Sequence, residues 1–238
     1  VMASGTYPVQ ELKDQIIELI KKKCSCPIVE IADTSTSFPS ISLENNLTTG
    51  TLTEHLISVH NYKHICYLGS KTERYFSDKR AQAFRDVMIQ HGYTIGDHDM
   101  FDTTITEEGV REAFDYFCEG SDKLPEAVVC YNDKMALLFT VIAIRKGYRI
   151  PEDIALVGCD ALPEGQNMTA PLTTVSFPTY QLGAESVKQL FKLMHNTPIP
   201  ECTNVFAEPV LGGSCGCRTT SHSNYILYGH QLLNRIQN

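Results

Sequence analysis

The chain contains no uncharged apolar run of about 18 residues, the length a helix needs to cross a bilayer, so a membrane-spanning segment and a membrane partner are not expected. Its opening, Val1-Met2-Ala3-Ser4-Gly5, has no initiator Met, no basic n-region and no long apolar h-region, so it is not a secretory signal and reads as the start of a fragment. Basic charge is scarce: 20 Lys and Arg stand against 28 Asp and Glu, a formal net charge of −8. A domain that grips a phosphate backbone carries a basic face, so this balance argues against nucleic-acid binding by the chain itself. The single basic cluster, Lys21-Lys22-Lys23, closes a predicted helix, where positive charge meets the negative end of the helix dipole.

Catalytic signatures are also missing. Gly-x-x-x-x-Gly-Lys-Ser/Thr, His-Glu-x-x-His and Gly-x-Gly-x-x-Gly do not occur, which removes the commonest nucleotide and metalloprotease signals. Gly212-Gly213-Ser214-Cys215-Gly216 matches Gly-x-Ser-x-Gly in letters, but a nucleophile elbow needs a helix behind it and an acid and a His later in the chain. After it come His222 and His230 and no Asp or Glu, so no enzyme and no catalytic residue are expected. Asp97, Asp99 and Asp102 lack the spacing of a calcium loop and are expected on a solvent-facing turn.

What is present in excess is cysteine, nine in all, without the framework of a small secreted protein. Cys66, Cys130 and Cys159 lie inside apolar runs and read as small buried hydrophobes, which suits a reducing, cytoplasmic setting. Cys24-x-Cys26 and Cys215-x-Cys217 could together supply four thiolates, but structural zinc sites use Cys-x₂₋₄-Cys spacing, and no metal or cofactor is expected.

Strand and helix patterns alternate. Residues 9–23, 46–59, 79–91, 107–118, 134–146 and 181–194 carry apolar residues at three-to-four spacing. Between them lie apolar runs at 28–32, 40–43, 64–69, 127–131 and 154–159, the last almost wholly apolar, as a strand buried on both faces should be. A further strand is expected within 204–210. Asn61, Gly92 and Gly147 close helices by taking the left-handed conformation. Such alternation calls for an α/β fold, mostly parallel sheets with helices on both faces, and ligands bind beyond the carboxyl ends of such strands. Residues 212–223 read as a Gly/Ser/Thr-rich linker, and 224–236 as an amphipathic helix carrying Tyr225, Tyr228, Leu232 and Ile236 on one stripe.

Ordered motifs then carry a resemblance. Arg80-Ala81-Gln82-Ala83-Phe84, Asn132-Asp133-Lys134-Met135-Ala136, Ile150-Pro151-Glu152-Asp153 running to Gly158-Cys159-Asp160, and Pro171-Leu172-Thr173-Thr174-Val175 occur in that order, with Glu44-Asn45 and Glu54-His55-Leu56 upstream. Over about residues 1–211 the chain resembles the effector-binding domain of LacI/GalR regulators, which share the fold of periplasmic sugar-binding proteins. The resemblance implies a two-lobed periplasmic-binding-protein-like (type I) fold with the first lobe incomplete, since two strand–helix units usual at the start of that lobe are missing. It places residues 1–62 and 178–196 in the first lobe and 63–176 and 203–211 in the second. The helix-turn-helix of such regulators is also outside this chain, so DNA would be reached only through that domain. The closing Ser-Cys-Gly-Cys followed by a helix also resembles sensor domains placed ahead of other output modules, cyclic-dinucleotide synthases included. A transport-type solute-binding protein and a domain that has lost its ligand share the same fold and remain alternatives.

The candidate site follows from chemistry and position. A polar metabolite such as a sugar needs fixed donors and acceptors, because each buried hydroxyl left unpaired is costly. Arg80 offers a rigid fork of donors, Asn132 gives and accepts, and an ionised Asp160 accepts two hydroxyl hydrogens. All three fall just past a strand or at a helix start, and the resemblance implies that they touch the ligand. Thr104, Tyr131 and Ser4 are expected to line the cleft, with Thr6 and Phe177 as further candidates, and Asp133 to cap and support from behind. Ligand-driven closure of two lobes, passed on through a homodimer, is the expected mode of action.

Overall fold

In the computed structural model, residues 2–3, 10–31, 38–43, 46–120 and 123–218 are described. Ser4, Thr6, Glu44-Asn45 and the expected helix at 224–236 lie outside them. The chain divides into two units, Val1–Glu44 with Pro178–Phe206, and Asn45–Phe177 with Ala207–Asn238.

The first unit is built on a parallel sheet of four short strands, β1 (Met2–Ala3), β2 (Glu30–Ile31), β3 (Ser40–Leu43) and β9 (Cys202–Val205), in the order β1-β2-β3-β9. Helices α1 (Gln10–Lys23) and α7 (Thr179–Met194) belong to it. Its core is Val29, Ile41, Leu182 and Val205, flanked by Leu190, Leu193 and Ile199. The lysines Lys21, Lys22 and Lys23 occupy the last turn of α1.

The second unit contains α2 (Asn46–Ser58), β4 (Ile65–Ser70), α3 (Arg74–Gln90), β5 (Met100–Thr103), α4 (Glu107–Cys118), β6 (Ala127–Cys130), α5 (Asp133–Arg145), β7 (Ala155–Val157), α6 (Pro163–Gln166), β8 (Thr174–Ser176) and β10 (Glu208–Val210). Its four-stranded sheet is parallel throughout, in the order β5-β4-β6-β7, while β8 and β10 pair antiparallel. The unbroken apolar character of the inner strands now has a cause. Ile65, Tyr67, Ala127, Val129, Ala155 and Val157 pack with Leu52, Leu56, Ala81 and Phe84 from α2 and α3. The alternate residues Cys66, Leu68, Val128, Cys130 and Leu156 pack with Val110, Phe114, Phe117, Met135 and Phe139 from α4 and α5. The period of two sends successive side chains to opposite faces, and both faces are covered. Full burial of side chains such as Phe114 and Phe139 contributes roughly 1.5–3 kcal/mol each to holding these layers together.

Four boundaries differ from the sequence expectation. Helix α2 belongs with the second unit, because Leu52 and Leu56 share a core with Ala81 and Phe84 of α3. The expected strand within 204–210 is two: β9 pairs with β3 in the first unit and β10 with β8 in the second. Helix α3 begins at Arg74, five residues before the apolar pattern, because Ser77 is buried inside it and its Oγ accepts from the Ser70 N–H at the end of β4. Residues 212–217 are no open linker: Ser214 and Cys215 are fully buried. Ser214 Oγ donates to Leu156 O at 2.6 Å and accepts from Thr173 N–H at 2.9 Å, so the hydroxyl of the Gly-x-Ser-x-Gly sequence is committed to holding the backbone.

Strand β5 had no clear sequence signal. It is an edge strand with one neighbour, and its acidic residues disguised it. Asp99 lies 3.3 Å from His64 Nε2 and accepts from Gly96 N–H, and Asp102 sits on β5 opposite Gly69. Asp97 is on an exposed turn as expected and Asp99 in the bend that follows it, while Asp102 belongs to the strand. Among the described residues, no helix is long and apolar enough to cross a membrane.

Candidate functional site

The second unit's sheet reverses its winding between β4 and β6. The helix after β4, α3, covers one face, while α4 and α5, after β5 and β6, cover the other. A crevice opens where connections leave a parallel sheet in opposite directions, and ligands of such sheets bind there. Arg80 lies on α3 after β4, Asn132 and Tyr131 directly follow β6, and Asp160 follows β7 beside it.

Arg80 ties the two sides together. Its Nη1 donates to Tyr131 O at 2.7 Å, its guanidinium sits 4.7 Å from the centre of the Tyr131 ring and 5.5 Å from that of Phe177, and its Nη2 is 3.6 Å from Asp160 Oδ1. The side chain is almost wholly buried, and its Nε has no hydrogen-bond partner among the described residues. A buried guanidinium flanked by two aromatic faces, with donor capacity left over and a carboxylate just beyond bonding distance, is poised to hold a polar molecule.

Asn132 caps α5: its Oδ1 accepts from Met135 N–H at 3.0 Å, which uses the acceptor and leaves the two amide hydrogens without a hydrogen bond among the described residues. Asp160 has a φ of 126°, a conformation that non-glycine residues enter only when neighbours enforce it. Four hydrogen bonds do so. Asp160 N–H donates to Val175 O at 3.0 Å, Ala161 N–H to Thr174 Oγ1 at 3.2 Å, Leu162 N–H to Asp133 Oδ2 at 2.7 Å, and the Thr174 hydroxyl to Asp133 Oδ1 at 2.6 Å. Asp133, fully buried, thus clasps the loop that presents Asp160. Gly158 makes room for it, since a Cβ there would stand 2.3 Å from Asp133 Oδ1. Burial pushes the Asp160 carboxyl up to about 6, with Arg80 opposing the rise and the nearby carboxylates of Asp133 and Glu73 adding to it.

Of the other residues singled out from sequence, Tyr131 presents its ring to Arg80 and spends its hydroxyl on Glu73 Oε2 at 2.5 Å. Phe177 presents its ring to the same guanidinium. Thr104 follows β5, is exposed, and pairs its hydroxyl with that of Thr106 at the start of α4; it makes no direct contact with Arg80, Asn132 or Asp160. Glu73 was not anticipated. It stands at the N-cap of α3, and only the folded packing of α3 against Tyr131 reveals its role.

The family of periplasmic binding protein-like domains matches residues 53–215. The HTH-type transcriptional regulator GalR of Escherichia coli (strain K12) is 25% identical over 230 residues, covering 87% of this chain and 66% of that protein. The HTH-type transcriptional repressor PurR of Mannheimia succiniciproducens is 28% identical over 205 residues, covering 84% of this chain and 60% of that protein. A likeness of fold extends to a sugar-binding transcriptional regulator of the LacI family from Escherichia coli, crystallised with phosphate, with a TM-score of 0.75 at 19% identity, covering 84% of this chain and 72% of that one. The chain spans between about half and two thirds of the length of the curated relatives it matches. On these grounds the chain belongs to the periplasmic binding protein-like domain family, as an effector-binding domain of the LacI/GalR type.

Proposed function

We propose that this domain senses a sugar or a closely related polyhydroxyl metabolite at the crevice between β4 and β6. One observation carries the proposal: a buried Arg80, with donor capacity unspent and two aromatic rings within 5.5 Å of its guanidinium, faces the carboxylate of Asp160 across 3.6 Å. A sugar ring offers what this arrangement lacks, hydroxyls that accept from Arg80 and donate to Asp160, and a C–H face that lies against Tyr131 or Phe177. The two amide hydrogens of Asn132 add a further donor edge. The similarity to a protein described as sugar-binding supports the same reading, and nucleobases, flat polar rings able to lie against Tyr131 or Phe177, are the competitors in any screen.

Binding at this crevice would favour whichever conformation holds the ligand more tightly, and a homodimer would pass that shift to an output. The relatives' description as helix-turn-helix regulators suggests DNA binding in the cytoplasm as that output, carried by a domain beyond these 238 residues. A thermal-shift screen of sugars, nucleosides, nucleobases and amino acids on the full chain tests the ligand class. At about 100-fold excess over Kd a sugar is expected to stabilise the protein by about 2.7 kcal/mol. Stabilisation by nucleobases alone, with the sugar panel inert, would overturn the reading.

The Asp160 carboxyl supplies a pH test. In the free protein it holds its proton up to about 6, above the ordinary value of 3.8, so folding is favoured by protonation between roughly pH 4 and 6 and this contribution is lost as pH rises through 6. A ligand whose hydroxyls donate to the carboxylate prefers the ionised form. Affinity should therefore be greatest above pH 6 and weaken below it, approaching tenfold per pH unit, with proton release on binding in that window. Calorimetry in buffers of different ionisation enthalpy measures the release, and an affinity flat from pH 7.5 to pH 5 would count against Asp160 as the acceptor.

A further inference from the structure

We propose that His55, His60, Cys215 and Cys217 form a structural binding site for a zinc ion that fastens the end of this domain to helix α2. The four donor atoms lie within 4.8 Å of one another, all in the second unit. His55 Nε2 is 3.2 Å from His60 Nε2 and 3.4 Å from the sulfurs of both Cys215 and Cys217, and His60 Nε2 is 3.4 Å from Cys217 Sγ. A tetrahedral zinc with bonds of about 2.0–2.1 Å to nitrogen and 2.3 Å to sulfur separates its ligands by roughly 3.3 Å (N to N) and 3.5 Å (N to S). The four spacings given match edges of that polyhedron, and the remaining two lie within 4.8 Å. As hydrogen bonds alone they fit poorly, because two thiols and two imidazoles offer four protons and few good acceptors.

Local structure explains how the ligands converge. His55-x₄-His60 falls within the usual histidine spacing of structural zinc sites. Helix α2 stops at Ser58, and in the turn beyond it the two imidazoles meet edge to face at 5.0 Å; Asn61, at a φ of 56°, then turns the chain ahead of Tyr62. Cys-x-Cys is shorter than the usual zinc knuckle. Gly216 between the cysteines has a φ of 99°, and a Cβ there would come within 3.0 Å of the Tyr62 hydroxyl and 3.4 Å of the His60 ring. Glycine therefore lets both sulfurs turn to one side. Supporting contacts are also in place: Tyr62 stacks on His60 at 5.3 Å and donates to Cys215 O, and Thr173 Oγ1 lies 3.0 Å from Cys215 Sγ, where it can donate to a thiolate. Cys24 and Cys26, paired with these cysteines in the four-thiolate scheme, are exposed thiols in the first unit.

Binding would release two thiol protons and leave Zn²⁺ with two thiolates and two neutral imidazoles, a site of zero net charge suited to a buried position. Its mechanical effect is to anchor residues 215–217, from which the chain continues past 218, on the end of a core helix. A disulfide between Cys215 and Cys217 is the competing chemistry for the same sulfurs.

The test is metal analysis of the full chain purified under reducing conditions from zinc-supplemented medium, followed by replacement with cobalt(II). About one zinc per chain is expected to survive gel filtration, and cobalt(II) should develop the intense visible bands of a tetrahedral thiolate site. His60→Ala and Cys217→Ser, at the two half-buried ligands, should each reduce retained zinc to below roughly a tenth. Chelation should lower the Tm of the parent protein and leave those variants unmoved. Reduced protein that stays metal-free and colourless with cobalt(II) would overturn the proposal, as would a Cys215–Cys217 disulfide whose reduction restores no metal binding. Stoichiometric metal unaffected by either substitution would do the same. Should both variants fail to fold, the cobalt(II) spectrum of the parent protein decides alone.

Discussion

Arg80→Ala is expected to abolish ligand-induced stabilisation at concentrations that saturate the parent domain. The guanidinium is paired with Asp160 at 3.6 Å, and each hydrogen bond it makes to a ligand is charge-assisted, worth about 1.5–3 kcal/mol, which is roughly a 10- to 150-fold loss of affinity per bond. Two such bonds would take a micromolar ligand out of the measurable range. The substitution also removes the donor to Tyr131 O and the cation between the Tyr131 and Phe177 rings, so the free protein should lose some stability as well. Arg80→Lys separates these effects. A lysine restores the charge, but its single ammonium cannot hold Tyr131 O and bond a ligand with the geometry of a planar fork. Its folding stability should lie near the parent's while its affinity stays low. Titration by calorimetry, with the Tm of each unliganded variant beside it, measures both. A ligand whose binding is unchanged in both variants does not use this crevice.

How much of this was legible in the sequence depended on whether the signal was local. Strands β4, β6 and β7 announced themselves by unbroken apolar runs, since both faces of each are covered, and the stops at Asn61, Gly92 and Gly147 all have positive φ. Strand β5 did not, because most of its residues are only half-buried and such positions tolerate an aspartate that a fully buried strand would reject. The positions of Asn132 and Asp160 just past strand ends were readable from order alone, whereas Arg80, expected just past a strand or at a helix start, lies inside α3, well beyond the end of β4. Their chemistry was less so: the Oδ1 of Asn132 is committed to a helix cap, and the strained backbone of Asp160 depends on Asp133 and Thr174, which no local pattern connects to it. The Cys–His cluster was out of reach for the same reason. His55 and Cys215 are 160 residues apart, Cys215-x-Cys217 is shorter than the familiar cysteine spacing although His55-x₄-His60 is an ordinary one, and only the packing of the 212–217 turn on α2 unites them.

That dependence on Asp133 leads to the second large effect. Asp133→Ala deletes two acceptors at once, leaving the Leu162 N–H and the Thr174 hydroxyl without their partner in a buried setting. Each group so stranded costs about 1–3 kcal/mol, so a total loss of roughly 2–6 kcal/mol is expected, or about 4–24 °C in Tm for a chain of this size. The loop 159–162 should loosen with it, and Asp160, no longer held at its strained φ, should lose its ligand geometry. Asp133→Asn behaves differently. An asparagine can turn its oxygen to the Leu162 N–H and give an amide hydrogen to the Thr174 oxygen, which accepts as readily as it donates, so the clasp survives. What disappears is a negative charge that raises the Asp160 pKa. The asparagine variant should therefore keep most of its stability and its ligand, while the pH below which affinity weakens moves down from about 6. Denaturant melts of the two variants, paired with affinity measured across pH, separate the clasp from the charge. Equal destabilisation by alanine and asparagine, or an affinity profile that does not move in the asparagine variant, would show that Asp133 is not coupled to Asp160 in this way.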